Sequence, residues 1–312
     1  MSQLPADAVN RLDFSRLFSD TSTLYGRGFR PMLALGAVSA VVAGGTGLAM
    51  VLLYATDLMT AVVSFNPAGL ASGGLLAAAV GGLASMLVTV QCGAMIAQVT
   101  AQVADGRAPD LREALRETTT VVPRLLLPCL ALAAATWLAA AVGLTGVLNA
   151  LGAARLSANR TAAVSTILAL LGAVVLGVLG AVAVTWWLRV KLFLLLPSAS
   201  LEKLPGFAPV RRSWQLTRGI AGLVFGALFV VSLAEGAVVG IGGQVASVLV
   251  PSAAAGDFRG LVSLVAQLMP AITVGTAISS AVTAFTWPFL TVMSTIVHRA
   301  LTGYRLTPLM SG

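Results

Sequence analysis

Charge is what this chain has least of. Asp, Glu, Lys and Arg make up only 10% of its 312 residues, against roughly 25% in a soluble domain, so water is not its main solvent. Histidine occurs once, as His298. That scarcity excludes most hydrolytic and metal-dependent designs. There is no His-Glu-x-x-His, no Gly-x-Ser-x-Gly, and no glycine-rich phosphate loop closing on Lys-Ser/Thr. A protein metal site needs several His, Cys or carboxylate ligands, and the apolar runs hold two separated cysteines and one glutamate. No enzyme, cofactor or metal is expected. Both cysteines, Cys92 and Cys129, fall within apolar runs, where they read as small hydrophobes rather than a disulfide framework. Lysine is rare too: 17 of the 19 basic residues are arginine.

What is present is apolar, with 58% hydrophobic residues and a mean hydropathy of +0.95. Runs of about 20 or more apolar residues recur, each long enough to cross a hydrocarbon core of about 30 Å. They predict an all-α, polytopic integral membrane protein with six transmembrane helices and cytoplasmic amphipathic segments. The six runs are 32–54, 73–103, 125–148, 162–187, 220–241 and 261–297. The last is too long for one straight span, and Pro270 and Pro288 are expected to divide it into an interfacial piece and a kinked helix. Asp57 and Asn66-Pro67 mark a turn. The polar first 31 residues, with Asp7, Asp13, Asp20 and four arginines, do not read as a signal peptide. The whole chain is one membrane domain: segment 1–31, a bundle over 32–297 with loops at 104–124 and 188–219, and a tail from His298.

Basic residues sort to one side. The segments before 32, at 104–124, at 189–218 and after 297 hold 16 of the 19 lysines and arginines, and the opposite loops hold Arg155, Arg160 and Arg259. By the positive-inside rule both termini are cytoplasmic, in a multi-pass plasma-membrane protein. The net charge of +8 then serves orientation and anionic headgroups rather than nucleic acid. In the second basic segment Leu111, Leu115, Thr118 and Val122 recur at helical spacing opposite Arg112, Glu113, Arg116 and Glu117. A faint repeat runs through the chain. Leu17, Leu115 and Val210 open comparable basic stretches, 98 and 95 residues apart, each leading into a two-span hairpin. Any six-span layout with cytoplasmic loops repeats at about that period, so both explanations stand.

The richest charged stretch is 186–219, where Trp186, Trp187 and Trp214 stand among Arg189, Lys191, Glu202, Lys203, Arg211, Arg212 and Arg218. Amphipathic rings and long cationic side chains prefer the headgroup level. Arg211, Arg212, Trp214 and Arg218 are the candidate headgroup-binding residues, and Glu202 is expected to pair with a nearby arginine. Here Arg189-x-x-Leu192, Pro197, Leu201-Glu202, a Gly206-containing turn, and Arg212-Ser213-Trp214-x-Leu216-Thr217-x-Gly219 resemble a bacterial six-span family, common in actinobacteria. The family is known as the glycerophosphoryl diester phosphodiesterase membrane domain. Close likeness covers about 30 residues, and the six-span layout extends it loosely. The aromatic-Asp-x-Arg pattern such proteins often carry after the last span is replaced by IVHRALTGYRL, without the acid. The resemblance implies a polytopic fold of unassigned activity. The catalytic domain behind the family's name has no counterpart in this chain.

Glu235 is the one acid inside an apolar run. An embedded carboxylate is costly, so it either faces a cavity as a proton or cation site, or bonds across helices to Gln91 or Ser232. Gln91, Gln98 and Gln102 share one helix face, as a polar path or as interhelical glue. Glu235, Gln91 and Gln98 are the candidate intramembrane polar site. Gly36-Ala40-Gly44, Ala173-Gly177-Ala181, Gly222-Gly226 and Gly236-Gly240 are small-residue stripes for close helix packing. The expected function is transport or handling of a lipid or other amphiphile. The alternative is a non-enzymatic assembly, scaffold or immunity-type protein that binds another membrane component. Expected partners are membrane lipids, a second copy or a membrane protein.

Overall fold

The computed structural model describes residues 13–64, 74–125, 127–128, 130–131, 172, 180, 183–249 and 261–303. Among them every regular element is a helix. The elements are α1 (Phe14–Arg27), α2 (Phe29–Ser64), α3 (Gly74–Ala104), α4 (Leu111–Thr118), α5 (Leu195–Ser200), α6 (Ala208–Thr217), α7 (Ala221–Leu249) and α8 (Leu261–Thr302). Four of these contain stretches long and apolar enough to cross a bilayer: Phe29–Ala49, Val80–Ala104, Ala221–Gly242 and Thr273–Thr302. The runs expected at 125–148 and 162–187, with Cys129, the Ala173 stripe and Asn66-Pro67, lie almost wholly outside the described residues.

Two sequence expectations are corrected. Asp57 does not mark a turn, because α2 continues through it to Ser64. The two prolines do not divide the last run, because α8 is one helix of 42 residues. Pro288 has no N–H, so the Ala284 carbonyl loses its usual intrahelical donor. Gly36 of α2 sits against that carbonyl and the Pro288 ring, so closely that a Cβ there would collide with both. A glycine backbone can approach an unpaired carbonyl through Cα–H, which offsets part of the lost bond. The same stripe brings Gly44 onto Ser280. α8 packs most extensively on α2, which in turn packs on α3.

The short helices repeat one another. Thr21, Thr118 and Thr217 are each fully buried, and each hydroxyl donates to the carbonyl four residues earlier, on Leu17, Ala114 and Ser213. Those three carbonyl residues are also buried, as are Leu24, Val121 and Ile220 one turn on. All three sets recur at intervals of 97 and 99 residues. The register therefore differs from the one read in the sequence. Leu115 is 47% exposed, as Leu111 is at 37%, and α4 buries the narrow Ala114–Thr118 side instead. Charged neighbours drew the sequence reading to the large apolar side chains, but the helix approaches its neighbours through its small ones.

Candidate functional site

α7 and α8 run side by side, and between them lies a half-open groove of about 680 Å³. α7 contributes Ser232 and Glu235, α8 contributes Ser279, Thr283, Thr286, Thr291 and Ser294, and Trp186 and Arg189 come from the helical stretch 183–191. The α8 positions recur at helical spacing and so form a hydroxyl stripe on one face. From Ser279 to Ser294 that stripe is about 22 Å long at 1.5 Å per residue. A second cavity of about 530 Å³, between α8 and the Ala40–Gly47 part of α2, shares Ser279 and Thr283 with the first.

Glu235 is partly buried in this groove, and the Thr286 hydroxyl donates to its Oε1. Its partner is thus neither Gln91 nor Ser232. Helix periodicity does not specify which helix faces α7, and in the structure that helix is α8. Two further groove hydroxyls lean back on their own helix: Thr291 donates to the Trp287 carbonyl at 3.0 Å and Ser294 to that of Thr291 at 2.8 Å. Each such bond uses the proton and leaves oxygen lone pairs available.

No family model, curated protein or solved structure matches the chain.

The glutamine face of α3 is elsewhere. Gln91 donates to Thr118 Oγ1 at 2.9 Å and Gln98 to the Ser200 carbonyl at 3.1 Å. Gln102 accepts from the Asp110 N–H at 2.9 Å and donates to Glu113 at 3.2 Å. The structure does not gather Glu235, Gln91 and Gln98 into one site. Gln91 and Gln102 instead fasten the two ends of α4 to α3, and Gln98 fastens the end of α5, as interhelical polar bonds do.

Across 186–219 the four candidate headgroup residues have different surroundings. Arg211 and Arg218 are exposed. Trp214 meets Trp187 edge to face, with ring centroids 4.8 Å apart, and Lys191 Nζ lies 5.6 Å from its ring. Arg212 turns inward, its Nε 3.2 Å from both carboxylate oxygens of Glu202.

Glu202 also meets a residue the sequence reading left at a membrane edge. His298 is fully buried, and its Nε2 lies 2.8 Å from Glu202 Oε1. Facing a carboxylate, Nε2 carries the proton, and Nδ1 is then a bare acceptor. Among the described residues Nδ1 has no hydrogen-bond partner, and a bare acceptor in an apolar site costs less than an orphaned N–H. One residue on, Arg299 binds the Asp105 carboxylate at 2.5 Å and the Ala101 carbonyl at 3.2 Å. Asp105, Glu202 and Arg299 recur at intervals of 97 residues. That periodicity of charges is the sequence signal for this cluster. The loop is pinned further by Arg124, which donates to the carbonyl of Lys203, a residue at φ 53. No group of three or more metal-ligating side chains occurs among the described residues.

Proposed function

We propose that this is a six-span plasma-membrane protein, with both termini cytoplasmic, that transports or holds a lipid or other amphiphile in the α7–α8 groove. The observation that supports this most directly is a carboxylate and a row of hydroxyls lining an open groove in otherwise apolar helices. Polar groups at that depth are costly unless they serve a polar ligand or water. Trp186 and Arg189 suit an amphiphile: the ring covers apolar chains and the guanidinium pairs with phosphate. Arg211 and Arg218, both exposed, offer the same chemistry to anionic headgroups. The resemblance of 189–219 to the six-span glycerophosphoryl diester phosphodiesterase membrane domain supports the span count and leaves the activity open.

The test fills the groove. Wild type and Ser279→Trp are purified in mild detergent, and retained lipid is counted by mass spectrometry alongside melting curves. The variant is expected to lose bound lipid at an unchanged melting temperature. Full retention with the groove filled overturns the reading.

A second reading, non-enzymatic assembly with another membrane component, is favoured by one observation. A Cβ at Gly240 of α7 would meet no described atom within 4 Å, and Leu233, Val238 and Ile241 near it are exposed. Small-residue faces of this kind seat partner helices. Gly240→Leu is expected to abolish a higher-mass native-gel species if this reading holds, and to leave lipid retention intact.

A further inference from the structure

We propose that the α7–α8 groove selects a primary ammonium group on an amphiphile, with Glu235 as its counter-ion. The inference rests on the lipid-handling reading and names the substrate class for the same groove.

It follows from what the groove wall offers. Thr291 and Ser294 each donate their hydroxyl proton to a carbonyl of their own helix, and Thr286 donates its one proton to Glu235. Their hydroxyl oxygens therefore face the groove as acceptors. Glu235 adds a carboxylate, again an acceptor, already anchored by Thr286. Among the described lining residues the only other charged one is Arg189. A wall built of acceptors around one negative charge complements a ligand with several N–H donors and a positive charge. A primary ammonium has three such donors, whereas a quaternary ammonium has none. Phosphate or carboxylate is disfavoured beside Glu235, because like charges in a water-poor site repel strongly. Arg189 suits an anionic group on the same molecule, and Trp186 and Phe193 present rings to its apolar part. Two sources carry this chemistry, an ethanolamine-type phospholipid headgroup and a free long-chain amine.

Native mass spectrometry of the purified full chain against four probes tests the assignment. The probes are dodecylamine, dodecyltrimethylammonium, a short-chain phosphatidylethanolamine and the matching phosphatidylcholine. Dodecylamine is expected to bind at least about tenfold more tightly than its trimethyl analogue, the scale of a charge-assisted hydrogen bond. Glu235→Gln is expected to remove that preference, and Thr286→Val to reduce it. If the ethanolamine lipid shows the same preference over the choline lipid, the source is the membrane. If only the free amine does, the source is a soluble amphiphile. Equal binding of amine and trimethylammonium, or a preference that survives in Glu235→Gln, overturns the proposal. Should either occur while Ser279→Trp still loses lipid, the groove handles amphiphiles without Glu235 reading their headgroup. Should Ser279→Trp retain all lipid, the broader reading fails first. Melting curves of Glu235→Gln and Thr286→Val accompany the series, and the amide, nearly isosteric with the acid, is expected to leave the fold intact.

Discussion

His298 Nε2 and Glu202 Oε1 stand 2.8 Å apart, joining the far end of α8 to a loop 96 residues earlier in the chain. Arg212 closes on the same carboxylate from α6. Glu202 is thus the common acceptor for two segments, and removing it strands a buried ring N–H and a half-buried guanidinium. Glu202→Ala is expected to lower stability by about 2–4 kcal/mol, and His298→Ala by less. A double-mutant cycle on detergent melting or denaturant curves is expected to show a coupling of about 1–3 kcal/mol. A coupling near zero contradicts this account of the cluster.

The α3 glutamines are expected to behave as fasteners. Gln98→Leu leaves the buried Ser200 carbonyl without this donor, at a cost of about 1–3 kcal/mol. Gln98→Leu is expected to spare any groove activity measured at matched folded protein. A loss of activity with unchanged stability places Gln98 in a functional path instead.

Glycines on one helix are expected to differ sharply. Gly36→Ala drives a methyl into the Ala284 carbonyl and the Pro288 ring, at about 1–3 kcal/mol. At Gly45 and Gly47 a Cβ meets no described atom within 4 Å, and Ala there is expected to be neutral or to gain up to about 1 kcal/mol of helix propensity. Melting temperatures of the three variants decide it, and equal shifts contradict the packing.

Asp20 on α1 has its carboxyl pushed above the usual range by desolvation, with the Arg16 charge pulling the other way. A folded-state pKa above the unfolded one means the folded chain binds this proton more tightly. Its contribution is full below the unfolded pKa and is lost as pH rises through the folded one. The melting temperature of Asp20→Asn, relative to wild type, is therefore expected to rise from about pH 4 to about pH 7. A difference that falls over that window contradicts the shift.

Single-cysteine labelling in a Cys92→Ala, Cys129→Ala background tests the arrangement in the membrane. Cysteines at Ser2, Gly106 and Gly312 are expected to label from the cytoplasm, and those at Asn66, Asn159 and Gly256 from outside. External labelling at Gly106 would falsify the six-span orientation.

The helical character of the described residues, with helices long and apolar enough to cross a membrane, was legible in the sequence, because a hydrocarbon core demands long apolar helices and composition alone reports them. The pairing of Glu202 with an arginine was legible too, since few acids stand near so many bases. Periodicity showed the α3 glutamines to share a face, but helix spacing carries no information on which segment meets that face. Only the tertiary structure decided that Gln91 and Gln102 bind the two ends of α4 while Gln98 binds α5, and that Glu235 binds Thr286 on α8. Contact choice also decided the fate of the prolines: Pro288 stays within a continuous α8, against a glycine 252 positions away. A sequence encodes such a match only as two separate residues, each unremarked until packing brings them together. His298 is the sharpest case. A lone histidine beside an apolar run reads as an interfacial residue, and its burial follows from a carboxylate delivered by the loop between α5 and α6.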